Sequence, residues 1–381
     1  MADAAEIWRD FTIDGDSGSP VWEPEKSAIR DWGAEIQIGN TAVTGAVTLT
    51  DDHHNNIVFL GGSGVYAVTV GSITVPKWRC RVVNTSNSTG RCVVNGSDKR
   101  RLYPGMHVDL FCDGTTVYMG EVPKWLNLSP DLYVDPANGS DDPAVADGLD
   151  TGARAFATRQ AAMAALYQEI EAGGSFPTIH LADGNYPGTL QLNANPSGAT
   201  VIFWEGASAL GAVFQGVTII GDGAVHEVTN IKFASIQMHQ FSVLDVLTGC
   251  GIGALTGSNS GISMDGAGAT ININNSFTVF GPMNYLFHAP SPGAINIAGN
   301  ITITYSGTPT ITALLRAIAG GVVTIGGTIT HSGSIASGAQ NWIVGPGGLI
   351  SFGGTSASWP GTVAGSPALN AAPTGSTGWA V

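Results

Sequence analysis

The stretch Gly268-Ala269-Thr270-Ile271-Asn272-Ile273, followed by Phe277-Thr278-Val279, recurs along the C-terminal part of this chain. Gly293 leads to Ile295 and Ile297, with Ile301 and Ile303 behind them. Gly321 leads to Val323 and Ile325, with Ile329 behind, and Gly348 opens a last copy through Ile350 and Phe352. Measured on the first isoleucine, the offsets are 24, 28 and 27 residues. A period of that size suits one coil of a stacked β-solenoid, whose units bury their apolar faces only by piling on one another. Apolar residues at i and i+2 share one face of a strand and turn inward, while glycines permit the corners. Successive coils then bring their strands about 4.8 Å apart.

The same region is nearly without charge. From Gly266 to Val381, 116 residues, Arg316 is the one Asp, Glu, Lys or Arg present. Ordinary soluble domains are about one-quarter charged. A β-rich flank that cannot rely on charge for solubility predicts burial against copies of the same chain. The other 43 charged residues precede Gly266, dividing the chain into an acidic head and a neutral shaft.

The totals exclude several classes. A net charge of −14 over 381 residues argues against nucleic-acid binding, which needs a basic face to displace counterions. No apolar run is long enough for a membrane span, and the acidic start Met1-Ala-Asp-Ala-Ala-Glu does not read as a secretory signal. The 53 glycines follow no Gly-X-Y period. Cys80, Cys92, Cys112 and Cys250 form no CxxC pair, so a zinc site is not expected. They read as buried thiols, with a bridge among the first three as the alternative. No cofactor and no metal are expected.

Upstream, residues 1–38 form a leader with nine acidic and three basic side chains. Pro24 to Gln37 has the pattern of a short helix, with Ile29, Trp32 and Ile36 on one face. Residues 39–125 read as a small β-domain, with strands expected at 42–49, 56–60, 66–70, 79–84, 91–94, 107–112 and 115–119. Gly62-Ser63-Gly64, Asn95-Gly96 and Asp113-Gly114 supply the turns, and Lys99, Arg100 and Arg101 read as a basic hairpin tip. Residues 126–355 hold the shaft, opening with a helix over 159–171 that Thr158 caps and Gly173-Gly174 end. The Ser/Gly/Pro/Ala-rich segment 356–381 reads as an extended terminus.

Three stretches carry a resemblance. Ile7-Trp8-Arg9-Asp10-Phe11, then Pro24, Lys26, Ile29-Arg30 and Trp32-Gly33, resembles the N-terminal segment of bacteriophage tail-fibre and spike proteins. Leu102-Tyr103-Pro104-Gly105 through Asp113-Gly114-Thr115 resembles the close of small β-domains near the base of phage fibres. Leu132-Tyr133-Val134-Asp135-Pro136, Ala155-Phe156-Ala157-Thr158, the helix, and Thr178-Ile179-His180-Leu181 through Asp183-Gly184-Asn185-Tyr186 are similar to the beginning of pectin-lyase-like right-handed parallel β-helix proteins. The resemblance implies an all-β homotrimer located in the virion and assembled in the host bacterial cytoplasm. Its N-terminus would anchor it to tail, neck or head proteins through Trp8, Arg9, Phe11, Ile29, Arg30 and Trp32. Its work would be structural and adhesive, against host surface polysaccharide. A polysaccharide depolymerase and a purely structural collar or head-decoration fibre are the alternatives.

Candidate chemistry follows from spacing. A glycosidase uses two carboxyl groups about 5–5.5 Å or 6.5–9.5 Å apart. Asp222 and Asp245 lie 23 residues apart and Glu205 and Glu227 lie 22 apart, so either pair could stack on adjacent coils. Asp222 between two glycines also suits a plain turn. His288 and Arg316 each precede a repeat glycine by five and could stack to bind a glycan, meet a neighbouring subunit or serve a lyase. Tyr285 and Trp342, with Tyr305 and Trp204, could stack on sugar rings or fill the core. Asp141, Asp142, Asp147 and Asp150 read as a solvated turn-rich loop rather than a calcium site.

Overall fold

The computed structural model describes residues 39–352 together with 360, 379 and 380, apart from 63–64, 87–88, 95–96, 122–123, 128–129, 143–144, 197, 222 and 254–259. The leader, its helix and its anchor residues Trp8, Arg9, Phe11, Ile29, Arg30 and Trp32 lie outside the described residues, as does Asp222. The chain divides after Pro123 into two compact units.

The first unit contains β1 (Gly39–Val43), β2 (Val47–Leu49), β3 (Asn56–Leu60), β4 (Tyr66–Val70), β5 (Arg79–Asn84), β6 (Gly90–Val94), β7 (Ser97–Leu102), β8 (His107–Cys112) and β9 (Val117–Met119). β1, β3 and β5 pair in parallel, and so do β2, β4 and β6. The chain therefore alternates between two sheets as a short solenoid would, before β7, β8 and β9 close it with antiparallel pairs. Val58, Val68, Trp78, Val82, Leu102, Tyr103, Val108 and Leu110 fill the space between the sheets. The hairpin expected at Asp113-Gly114 joins β8 to β9, and Asp113 accepts hydrogen bonds from Thr115 and Thr116 N–H groups within it. Lys99, Arg100 and Arg101 correct the sequence reading: they lie in β7, paired with β6, rather than in a hairpin tip. Cys80 is buried, and Cys112 and Cys250 are free and buried.

The second unit is built on long all-parallel sheets, consistent with a parallel β-helix. A ten-stranded sheet takes one strand from each successive coil, from Asp131–Val134 through Thr178–Leu181, Ile202–Gly206, Val225–Thr229, Val243–Val246, Thr270–Ile273, Ala294–Ile297 and Val322–Ile325 to Leu349–Phe352. Its last member, Trp379–Ala380, pairs in parallel with Leu349 and Ile350, so part of the terminal segment rejoins the sheet. A twelve-stranded sheet takes the remaining strands of each coil. In the later coils these form two stacks, one running through Phe277–Phe280, Ile301–Ser306 and Ile329–Ser332, the other through Met283–Ala289, Ile311–Ala317 and Gln340–Val344.

The register reproduces the repeat. Ile271, Ile295, Val323 and Ile350 pair in succession, as do Ile273, Ile297, Ile325 and Phe352. The first of these columns is completely buried, and each such side chain contributes roughly 1.5–3 kcal/mol on leaving water. The second strand departs from the simple repeat: Phe277 pairs with Ile303, two residues beyond Ile301, because the strand Ile301–Ser306 starts two residues before the part that meets Phe277–Phe280. Gly321 and Gly348 are needed where they stand, since a Cβ would strike the carbonyl oxygens of Ala289 and Ala317 on the neighbouring coil.

Helix α1 spans Arg159–Gln168 and ends earlier than expected, because Ile170–Glu171 forms a strand beside Trp125–Leu126. Thr158 accepts a hydrogen bond from Ala161 N–H at its start, as its position predicted. Arg159, the first helical residue, is almost wholly buried. Its guanidinium lies 4.1 Å from the Phe214 ring centroid and donates to the carbonyls of Tyr186, Pro187 and Gly188.

Candidate functional site

Alternation along the strands sorts the chemistry-bearing residues into inward and outward columns. On one outward column Gln237, Ser263, His288 and Arg316 stack in register. The expected pair is therefore formed: Arg316 donates from Nη1 to His288 Nε2 at 3.2 Å. Its guanidinium also lies 4.6 Å from the centroid of Tyr285, whose ring sits 4.9 Å from that of His288. Burial, and then the Arg316 charge, hold His288 down at about 4, while Asp265 pulls the other way. At neutral pH the imidazole is uncharged. With Nε2 accepting from Arg316, Nδ1 carries the proton and donates to Ser260 Oγ at 3.2 Å. The result is a fixed guanidinium over an aromatic ring, a donor array suited to sugar hydroxyls or a carboxylate.

Trp342 does not join this group. It pairs with Leu315, which follows Phe287 in a core column, and its ring meets Phe352 edge-on at 5.4 Å. Trp342 stays partly exposed, whereas Trp204 and Tyr305 are buried core residues. Trp204 donates to Nδ1 of the wholly buried His226, which desolvation pushes down to about 3. Tyr305 OH meets His331 Nδ1 at 3.0 Å. These positions leave the inner aromatics unable to stack on a ligand.

The carboxylates rearrange. Glu205 pairs with Thr229, not with Glu227, because the intervening corner shifts the register by two residues. Glu227 instead pairs with Asp245, and the outward column continues through Asn272, Asn296, Thr324 and Ser351. Asn272 donates to Asp245 Oδ1 at 2.6 Å and Asn296 donates to Asn272 Oδ1 at 3.0 Å. Burial first, and then the Asp245 charge, raise the Glu227 carboxyl above its ordinary value. Two carboxyl groups on adjacent strands, one with its affinity for a proton raised, have the ingredients of an acid and a nucleophile or base.

A third constellation was missed. His180 lies between two carboxylates, with Nε2 3.4 Å from Asp131 and Nδ1 3.3 Å from Glu205. Its ring stacks on Tyr133 at 4.9 Å. Tyr133, His180 and Glu205 border a cleft of about 350 Å³ that Asp135 and Thr151 also line. The signal was present in the alternation of Thr178-Ile179-His180-Leu181, but the matching register with Glu205 was not recoverable from residue counts. The acidic loop proves to be committed internally. Asp141 accepts from Ala157 N–H, Thr158 N–H and the Thr158 hydroxyl, and the buried Asp147 pairs with Arg154 at 2.7 Å. Asp147 corrects the expectation of a solvated loop.

No protein-family model matches the chain, and no curated protein matches it. Among solved structures the chain is similar to the crystal structure of Escherichia coli YbhC. The identity is 13%, over 66% of this chain and 79% of that one, with a TM-score of 0.32. A likeness that distant leaves the fold to be argued from the strand register above.

Proposed function

We propose that the chain is a virion spike or fibre of a bacteriophage-like particle, anchored by its N-terminal leader and adhering to host surface polysaccharide through the outer face of its shaft. In this reading the shaft is a right-handed parallel β-helix, three copies of which associate side by side. The carrying observation is the Tyr285–His288–Arg316 group. The single charged side chain of the last 116 residues is held outward, in register, over an aromatic ring and against a neutral histidine. A lone cation on a neutral flank contributes little to solubility but suits a glycan, whose hydroxyls and carboxylates accept from a planar donor. The neutral flanks beside it favour association of like chains, since no charge repels them.

Labelled protein added to host cells tests this reading. Binding should fall to background on cells stripped genetically of capsule and of the lipopolysaccharide O-chain, and equal binding to stripped cells would contradict it.

A second reading has its own observation, the Glu227–Asp245 pair with its raised Glu227 carboxyl. If the spike cleaves the polysaccharide it binds, Glu227 is the proton donor and Asp245 the second carboxylate. Incubation with purified host polysaccharide should then release oligosaccharides, and Glu227→Gln should abolish the release. Unshortened chains would leave adhesion alone.

A further inference from the structure

The outer face of the first unit carries a row of chemistry that neither reading above uses. Across β5, β8 and β9, Arg79 pairs with Phe111 and Phe111 with Tyr118. In the next row Ile57 pairs with Arg81 and Arg81 with Asp109. Phe111 and Tyr118 are large rings left 47% and 43% exposed. They stack at 5.4 Å with only 17° between their planes, so together they present one extended aromatic surface. Tyr118 is fixed there because its hydroxyl donates to Asp113 Oδ2 at 3.0 Å.

The polar groups beside the rings are also held. Arg81 and Asp109 form a two-pronged pair at 2.7 and 2.9 Å, which accounts for both charges. Arg79 donates from Nε to Asn55 Oδ1 at 2.6 Å, and that bond fixes the plane of the guanidinium. Its two terminal nitrogens donate to nothing else among the described residues, so four N–H donors and a full charge face a groove of about 480 Å³. Phe111 lines the same groove. With Arg81 and Asp109 cancelling, the groove has one uncompensated positive charge, in a chain with 15 basic against 29 acidic residues.

We infer that this face is a binding site for an acidic saccharide. The apolar C–H face of a pyranose ring would lie on Phe111 and Tyr118, and a ring carboxylate would take the free edge of Arg79 in a two-pronged hydrogen bond. The groove is within the range of small-ligand pockets and large enough for a sugar unit of a longer chain. Charge selects the ligand: a neutral sugar could use the rings but would leave Arg79 without a counter-ion, and a cationic one would be repelled. The site does not depend on the shaft group, which lies in the other unit.

Calorimetric titration of the full-length protein carrying Arg316→Ala, so that the shaft group is silenced, tests it. The probes are oligogalacturonate, oligoguluronate and oligosialic acid, with maltopentaose as the neutral control. At least one acidic probe should bind, maltopentaose should not, and added salt should weaken the binding. Arg79→Ala and Phe111→Ala should each weaken it by about tenfold or more. Arg79→Lys should recover part of the loss, because the charge returns without the planar fork. Both side chains are exposed, so unchanged thermal melts will show that the variants remain folded. Three results overturn the proposal: no binding of any acidic probe, equal binding of maltopentaose, or binding that survives both substitutions. Loss of particle incorporation by Arg79→Ala together with no acidic-sugar binding would assign the face to a protein partner instead.

Discussion

The coils before Gly266 and those after it share one backbone plan but divide their chemistry differently. In the early coils the interior contains Arg159, Tyr186, Trp204, Phe214 and His226, and the outside carries Glu205, Glu227 and Asp245. In the later coils the interior columns are Ile271, Ile295, Val323 and Ile350 beside Ile273, Ile297 and Ile325, while the outside shows Asn272, Asn296, Thr324 and Ser351. Both sets keep parallel pairing, with a register shift between Phe214 and Val217 in the early coils. The comparison teaches that the inward column specifies the coil and the outward column is free to vary. Function is therefore to be sought among the outward residues.

The sharpest way to break that division is to charge an inward position. Ile295→Asp places an unpaired carboxylate in a column with no exposure and should cost about 5 kcal/mol or more, enough to remove the cooperative thermal transition. A variant that melted like the parent would show that the columns do not hold the coils.

Acid should distinguish the two regions next. His226 in the early coils is depressed to about 3, and His288 and His331 in the later coils to about 4, each chiefly by burial. Protonation therefore favours the unfolded chain, in which histidine titrates near 6.5. Stability from these groups is complete above that pH and is lost as pH falls, towards about 4 for His288 and His331 and about 3 for His226. The loss from His226 alone is on the order of 4 kcal/mol. Denaturant melts between pH 7 and pH 4 should show it, and His226→Leu should flatten the slope. An unchanged slope would place His226 in contact with water.

Much of this division was legible in the sequence. The 24-, 28- and 27-residue offsets matched the pairing of Ile271, Ile295, Val323 and Ile350 because inward isoleucines leave a periodic trace. His288 and Arg316 were legible for the same reason, each standing five residues before a repeat glycine. The pairing of Glu227 with Asp245 was not, because corner lengths set the register and polar corners leave no period. The column of Trp342 was not legible either, because an aromatic near the end of a solenoid reads the same whether it follows Leu315 or Arg316. In the first unit most strand positions were readable from alternation, but not the break of 42–49 into β1 and β2, nor β7, nor the parallel order of β1, β3 and β5, which depends on which strands the chain returns to.

The outward ladder should give the smallest effect. Asn296→Ala removes one partly exposed amide hydrogen bond to Asn272 and should cost about 0.5–1 kcal/mol in thermal stability. A loss comparable to that of an inward substitution would mean that the amide ladder, and not the isoleucine columns, fixes the register.

Titration of purified host-surface polysaccharide into the wild-type chain and into a variant with Tyr285, His288 and Arg316 all replaced by alanine bears most directly on the central claim. The two proteins should melt within about 2 kcal/mol of each other, as expected of half-exposed outward residues, and the variant should bind the polysaccharide at least about tenfold more weakly. Equal binding by a folded variant would contradict the assignment of the adhesive surface to this outward column.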